Sequence, residues 1–363
     1  MAAARNPPWT WIAPGAGWVA LAGAWYGGLG GNAYALVLPA VLAAGVIAAV
    51  HHAEVIAHRV GEPFGTLVLA LAVTVIEVAL IVSLMIEGGP AAAAALARDT
   101  ILAAVMIIVN GIVGVCLLVG GVHHREQAFD TRGVSSALAV LATLSVVTLI
   151  LPNFTTSTAG PTYAPGQLIN IAAVSLVLYL LFVFVQTVRH REYFLPDDAA
   201  QADDHVPAPR PSMRTTLASL ALLLVALGAV VLLGKGLTPT LEQLLQAAGA
   251  PRAVVGILIA GIVLAPESVA AYRAARANRL QSSLNLALGS ALASIALTIP
   301  AVAVVSLVAG WPLILGLEAK SMVLLCLSLV VATISLSTGR TTVLQGAVHL
   351  VILVVYLVTT LIP

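Results

Sequence analysis

Long apolar runs dominate the chain, and its polar residues are concentrated between those runs. About 20 consecutive apolar residues are enough for an α-helix to cross the hydrocarbon core of a bilayer. The pattern predicts eleven such helices, at residues 9–27, 33–56, 63–86, 99–121, 134–151, 167–188, 213–234, 251–272, 283–309, 313–336 and 342–361. Most connections are short. Residues 189–212 are the exception, because they are polar, proline-rich and acidic, and we expect a flexible linker there.

Composition agrees with this pattern. Hydrophobic residues make up 60% of the 363 residues and charged residues only 9%, whereas a soluble domain has about 25% charged residues. The sequence therefore predicts an all-α polytopic membrane protein, whose main partner is the lipid bilayer. The net charge of +1 gives no indication of a nucleic-acid partner. Cys116 and Cys326 lie in apolar runs, which argues against a disulfide framework.

The basic residues predict the orientation of the chain. If the eleven helices alternate in direction, twelve of the 16 lysines and arginines fall on the side of the N-terminus. Cytoplasmic loops of membrane proteins carry an excess of lysine and arginine. We therefore expect the N-terminus and the linker in the cytoplasm and the C-terminus outside.

Two of the predicted helices carry a carboxylate deep inside an apolar run. Glu77 is the only ionisable side chain of residues 63–86, and Glu267 lies well within residues 251–272. A charged side chain at the bilayer centre costs about 2.5–3.5 kcal/mol on insertion scales. One interpretation is a structural carboxylate that is protonated or hydrogen-bonded to a neighbouring helix. The other is a cation or proton site, and the presence of a second such helix favours it.

The positions of the two glutamates also predict the domain organisation. Residues 1–30 form an extra N-terminal helix. Residues 31–188 and 213–363 then contain five helices each, on either side of the linker at 189–212. Each glutamate lies in the second helix of its five. Because five is odd, the second set enters the membrane in the opposite sense, which predicts an inverted-topology repeat with a site between the halves near the midplane.

Other oxygen-bearing residues lie on or beside the glutamate helices. The candidates are Thr74, Asn110, Pro266, Ser290, Ser294 and Thr298. The two serines and Thr298 are four residues apart and share one face of a helix. Proline removes a backbone donor, so that a carbonyl in the preceding turn is freed for other partners. Serine and threonine also serve as ordinary packing residues between membrane helices, which is the alternative for each hydroxyl alone.

Carboxylate, hydroxyl, amide and carbonyl oxygens are hard ligands. They suit Ca²⁺, Na⁺ or K⁺ rather than a soft metal. Protons and cations compete for the same buried carboxylates, so loading one expels the other. We therefore expect inorganic cations and protons as partners and no cofactor. His51, His52 and His58 lie near one helix end; we expect a solvated helix end, with pH sensing as the alternative.

Two other classes of protein compete with this interpretation. An integral-membrane enzyme could use the carboxylate pair on a lipid-borne substrate, but no second base or nucleophile accompanies the glutamates. A passive cation channel is the other alternative. Channels build their selectivity filters from rings of groups contributed by symmetric subunits, whereas this chain contains its own pseudo-symmetry.

Three stretches resemble the calcium/cation antiporter superfamily, and its bacterial cation/proton exchangers (ChaA type) in particular. They are GEPFGTLVLALAVTVIEVALIVSLM, APESVAAYRAARANRLQSSLNLALGSALASIALTIP and ISLSTGRTTVLQGAVHL. The resemblance implies eleven helices, five-plus-five inverted repeats, a bacterial inner-membrane location and an essential glutamate in each repeat, here Glu77 and Glu267. Asn110 and Gly289-Ser290 match family positions. Val73-Thr74 and Val263-Leu264 replace the usual Gly-Asn pairs, which implies a less calcium-selective site and leaves Na⁺ and K⁺ open.

Overall fold

A computed structural model describes residues 6–26, 32–61, 64–195, 210–247, 249, 251 and 253–362. These residues are almost entirely helical. The helices are α1 (Pro8–Tyr26), α2 (Asn32–Val60), α3 (Phe64–Met106), α4 (Val113–His124), α5 (Thr131–Ser145), α6 (Pro165–Phe184), α7 (Met213–Ala247), α8 (Ala253–Arg276), α9 (Leu280–Ala309), α10 (Ala319–Leu336) and α11 (Val343–Leu361). Two short strands, β1 (Gln127–Ala128) and β2 (Arg340–Thr341), accompany them.

Helix α3 is two helices in sequence. Gly89 has φ 66° and ψ −167°, which is not helical, and Pro90 follows it. Glycine adopts this conformation at little cost because it has no Cβ. The part of α3 after this break continues through a π-helical segment, Ile107–Ile112, into α4. The break therefore divides α3 between two successive membrane spans.

Ten spans in the described part of the chain are long and apolar enough to cross a membrane. They are Val37–Val60, Leu67–Ile86, Ala94–His124, Thr131–Phe154, Pro165–Arg189, Met213–Leu237, Ala253–Arg276, Leu280–Ala309, Ala319–Leu336 and Val343–Leu361. The prediction of an all-α polytopic membrane protein is confirmed. Helix α1 is not among the ten, although it forms where the first span was predicted. It packs against α2 and α7.

One predicted span begins too early. The span expected at 313–336 becomes helical only at Ala319. Gly310, in the left-handed conformation, ends α9, and the next residues form an irregular loop. Leu313, Leu315 and Leu317 are buried there, so an apolar loop gave the same signal as a helix. Residues 196–209, which contain the acidic centre of the expected linker at 189–212, lie outside the described residues.

Helix α9 lies at the centre of the bundle. It packs against α3, α5, α6 and α8, and most of its side chains are buried. A second apolar cluster joins α2, α7 and the first part of α3. Helices α6 and α11 expose many large apolar side chains on their outer sides, as expected of surfaces that face lipid. The central position of α9 places its residues within reach of both glutamate-bearing helices.

Short backbone pairings connect the loops at two places. β1 pairs antiparallel with β2, which joins the α4–α5 loop to the α10–α11 loop. An isolated bridge between Thr162 and Ile314 joins the α5–α6 loop to the α9–α10 loop. Counting five helices forward from the α4–α5 loop gives the α9–α10 loop. Counting five helices back from the α10–α11 loop gives the α5–α6 loop, so the two pairings correspond to each other. An inverted five-helix repeat predicts this relationship.

Candidate functional site

Two buried glutamates meet the central helix. Glu77 lies on the first part of α3 and Glu267 on α8, and their exposures are 1% and 2%. The Ser294 hydroxyl donates to Oε2 of Glu77 at 2.6 Å. The Ser290 hydroxyl donates a short hydrogen bond to Oε2 of Glu267. Both serines belong to α9, so one helix binds both carboxyl groups.

The two carboxyl groups are close to each other. Side chains four residues apart on a helix have Cβ atoms about 5–6 Å apart. Ser290 and Ser294 have this spacing, so the glutamates that they bind lie at adjacent turns of α9. Glu77 is also close enough to Glu267 to interact with it electrostatically. Two like charges cannot be held together in an apolar interior without compensation, so protons or a cation are needed at the pair.

Each glutamate retains an oxygen without a hydrogen-bond partner. Oε1 of Glu77 and Oε1 of Glu267 are buried and unpaired in the described structure, and so is the Thr298 hydroxyl one turn beyond Ser294. A buried polar group without a partner costs about 1–3 kcal/mol, and more if it is charged. The carboxylate pair therefore has free oxygen ligands.

Thr74 and Pro266 form no side-chain hydrogen bond with the glutamates in the described structure. Thr74 is buried, and its hydroxyl donates to the Ala70 carbonyl oxygen at 2.9 Å within its own helix. Helix α8 is continuous through Pro266, so the proline removes a backbone donor without breaking the helix. The roles expected of these residues as ligands remain predictions.

Asn110 takes part in a separate hydrogen-bond network. Its Nδ2 donates to Ser328 Oγ at 2.8 Å, and Ser328 Oγ donates to the Leu324 carbonyl oxygen at 2.7 Å. Asn110 Oδ1 lies 3.2 Å from Nδ1 of His349. Because this amide oxygen only accepts, Nδ1 of His349 must be the donor. The network joins the π-helical segment to α10 and α11, and the role expected of Asn110 as a cation ligand remains a prediction.

Sequence reasoning did not identify Ser328 and His349 as partners of Asn110. Both are fully buried, and His349 Nε2 has no partner in the described structure. The sequence did mark His349 as unusual, because it is the one histidine within the last apolar run. The sequence did not reveal that His349 and Ser328 bind Asn110, because these side chains come from three separate helical segments that meet only in the folded bundle.

The expectation of a solvated helix end at His51, His52 and His58 is wrong for one of the three. His52 is fully buried, and its Nε2 lies 3.1 Å from the Thr10 carbonyl oxygen of α1. Helix α1 packs over this part of α2, which the sequence of α2 alone does not reveal. His58 is exposed, as expected.

The fold and site define a polytopic membrane protein with a buried carboxylate pair and hard oxygen ligands. No cluster of three or more His, Cys, Asp or Glu suited to a metal occurs among the described residues. The family model described as "Sodium/calcium exchanger protein" matches residues 28–188 and 218–362. The chain belongs to this family.

Individual relatives agree with the family. The chain is 49% identical over 362 residues to the putative ionic transporter y4hA of Sinorhizobium fredii, covering 99% of this chain and 98% of the relative. It is 38% identical to the sodium-potassium/proton antiporter ChaA of Escherichia coli, covering 85% and 84%. The solved structure of native YfkE superimposes with a TM-score of 0.73 at 16% identity, covering 98% of this chain and 100% of that one. This last likeness shows the shared fold.

Proposed function

We propose that the chain is a secondary cation/proton antiporter. It exports Ca²⁺, Na⁺ or K⁺ in exchange for H⁺, and the two ions compete for Glu77 and Glu267. The observation that carries this proposal is the pair of buried carboxyl groups on adjacent turns of α9, each with an unpaired oxygen. The matched family is an ion-exchanger family rather than an enzyme family. The named activity of the ChaA relative, sodium-potassium/proton antiport, supports the same function.

The chemistry of the pair explains why exchange is obligatory. With a cation bound, both carboxylates are ionised, and the serine hydroxyls donate to them. With protons bound, the carboxyl groups are neutral and need no counterion. An empty pair leaves two negative charges in a low-dielectric interior, which is strongly unfavourable. A rearrangement across the membrane therefore carries either the cation or the protons, and never the empty site.

The arrangement of the helices supplies a way to alternate access. We propose that residues 31–188 and 213–363 form inverted repeats, which rock against each other around the glutamates. The corresponding loop pairings, β1 with β2 and Thr162 with Ile314, support this symmetry. We further propose an inner-membrane location with a cytoplasmic N-terminus and an external C-terminus, on the basis of the basic-residue asymmetry.

The ligand set favours a site with modest discrimination between cations. In the described structure the hydrogen bonds to the pair come from the Ser290 and Ser294 hydroxyl groups, and the Asn110 amide is bound to Ser328 and His349. Ca²⁺ prefers six to eight oxygen ligands in proteins. The two carboxyl groups and the two serines together offer six side-chain oxygens, the minimum of that range, and no amide oxygen, so we propose that Na⁺ and K⁺ are transported alongside Ca²⁺.

Everted membrane vesicles with a lumenal pH dye test the function. Adding Ca²⁺, Na⁺ or K⁺ to vesicles with an acidic lumen should make the lumen more alkaline, because protons leave as cations enter. Glu77→Gln and Glu267→Gln should each abolish the response, since an amide cannot exchange a proton for a cation. Glu192→Gln is the matched control, because Glu192 is exposed outside the site. Full activity in both site variants would refute the assignment, and the three cations together give the selectivity.

A further inference from the structure

A cavity of about 390 Å³ opens where α2 ends and α3 begins. Its lining includes Glu54 and His58 of α2, Gly65 and Leu69 of α3, Ala270 of α8, and Arg279. We call it the basic-end vestibule, because Arg273 and Arg276 lie in the last turn of α8 at the same end. Glu54 is the one carboxylate among the described lining residues. The vestibule is distinct from the glutamate pair, and the exchange chemistry described above does not use its charged residues.

The vestibule leads toward the site along two helices. Gly65, Leu69, Val73 and Glu77 are spaced by four residues and share one face of α3. Leu69 is eight residues before Glu77, or about 12 Å along the helix. Ala270 follows Glu267 by three residues, which is about one turn. Val73, which is buried, lies between Leu69 and Glu77 on this face.

The opposite end of the bundle is farther from the glutamates. A cavity of about 140 Å³ there is lined by Asp99, Leu102, Ala253 and Glu318, among others. Ala253 is 14 residues from Glu267 on α8, or about 21 Å. Asp99 is paired with Arg98 at 2.8 Å, and Arg98 Nη1 also donates to the Gly316 carbonyl oxygen at 3.2 Å. The larger and closer opening is therefore the basic-end vestibule.

We propose that the basic-end vestibule is the route by which cations reach the glutamate pair from that face, and that Glu54 attracts them. This rests on the proposed function. Arg279 lines the same cavity, and Arg273 is close enough to Glu54 to interact with it electrostatically. Without the carboxylate, the fixed charge of the vestibule is positive and repels cations. A charged cleft with low-dielectric walls changes the local ion concentration and on-rate by tenfold or more.

The test measures cation affinity separately at each face. External cation acts on one face in everted vesicles and on the other in right-side-out vesicles. At low ionic strength, Glu54→Gln should raise the half-saturating cation concentration about tenfold at one face only. Arg279→Gln should lower it at that same face, and Glu54→Asp should resemble wild type. Both shifts should shrink when an impermeant salt screens the charges.

The outcomes separate this proposal from the proposed function. If the wild-type protein shows no cation-driven proton movement, the antiporter function itself is refuted. If the wild-type protein exchanges ions, the vestibule proposal is overturned by an unchanged affinity in Glu54→Gln. Equal shifts at both faces, or shifts of the same sign in Glu54→Gln and Arg279→Gln, also overturn it. One-sided shifts of opposite sign that salt removes support it.

Discussion

The hydroxyl of Ser294 offers a quantitative test of competition at the glutamate pair. It donates to Glu77 Oε2 at 2.6 Å in a fully buried setting. A hydrogen bond to a charged group contributes about 1.5–3 kcal/mol, and one between neutral groups about 0.5–1.5 kcal/mol. Glu77 is ionised when the site holds a cation and neutral when it holds a proton. Ser294→Ala therefore destabilises the cation-loaded state more than the protonated state, by about 1.3 kcal/mol when the middle of each range is taken.

This difference corresponds to about a tenfold change in affinity. At fixed pH, Ser294→Ala should raise the half-saturating cation concentration about tenfold in the vesicle assay. Raising the pH by about one unit should restore the wild-type value, because fewer protons then compete for the site. The maximal rate should change much less, since both glutamates remain.

A buried serine far from the site provides the control. Ser175 on α6 is also fully buried, and its hydroxyl donates to the Ile171 carbonyl oxygen within its own helix at 2.7 Å. Ser175→Ala removes the same atom without touching a glutamate, so its cation affinity should match wild type. An unchanged affinity in Ser294→Ala, or a loss that higher pH does not restore, would refute the reasoning.

Two further predictions concern stability, and thermal unfolding in detergent tests both. His349→Leu leaves Asn110 Oδ1 without its donor and should cost about 1–3 kcal/mol. His349→Asn can keep an N–H at the position of Nδ1 and should lose less, so equal stability of the two variants would contradict a stabilising hydrogen bond between His349 and Asn110. Gly346→Ala should also destabilise the protein, by about 1–3 kcal/mol, because a Cβ there would meet the Leu118 backbone and lie 2.8 Å from the Gly114 carbonyl oxygen. Gly261→Ala meets no atom within 4 Å and should be tolerated, so similar losses in both glycine variants would show that close packing of α11 on α4 is not the cause.

The sequence alone determined the membrane class, the approximate spans and the glutamate pair. These features depend on local properties. An apolar run of sufficient length crosses a bilayer because its backbone hydrogen bonds are satisfied internally. A carboxylate inside such a run stands out because its burial is costly. The serines at 290 and 294 were also identified from the sequence, because helical spacing places them on one face.

Tertiary structure decided which polar groups meet. Asn110 was expected to help bind the cation, which remains a prediction, and the structure shows its amide bound to Ser328 and His349 on two later helices. The 313–318 stretch is apolar enough for a helix, yet it is an irregular and mostly buried loop. Its backbone is bound to other segments, as in the hydrogen bond from the Ile314 N–H to the Ala94 carbonyl oxygen at 2.7 Å. Helical periodicity specifies which face a side chain occupies, but only the packing of distant helices determines what that face contacts.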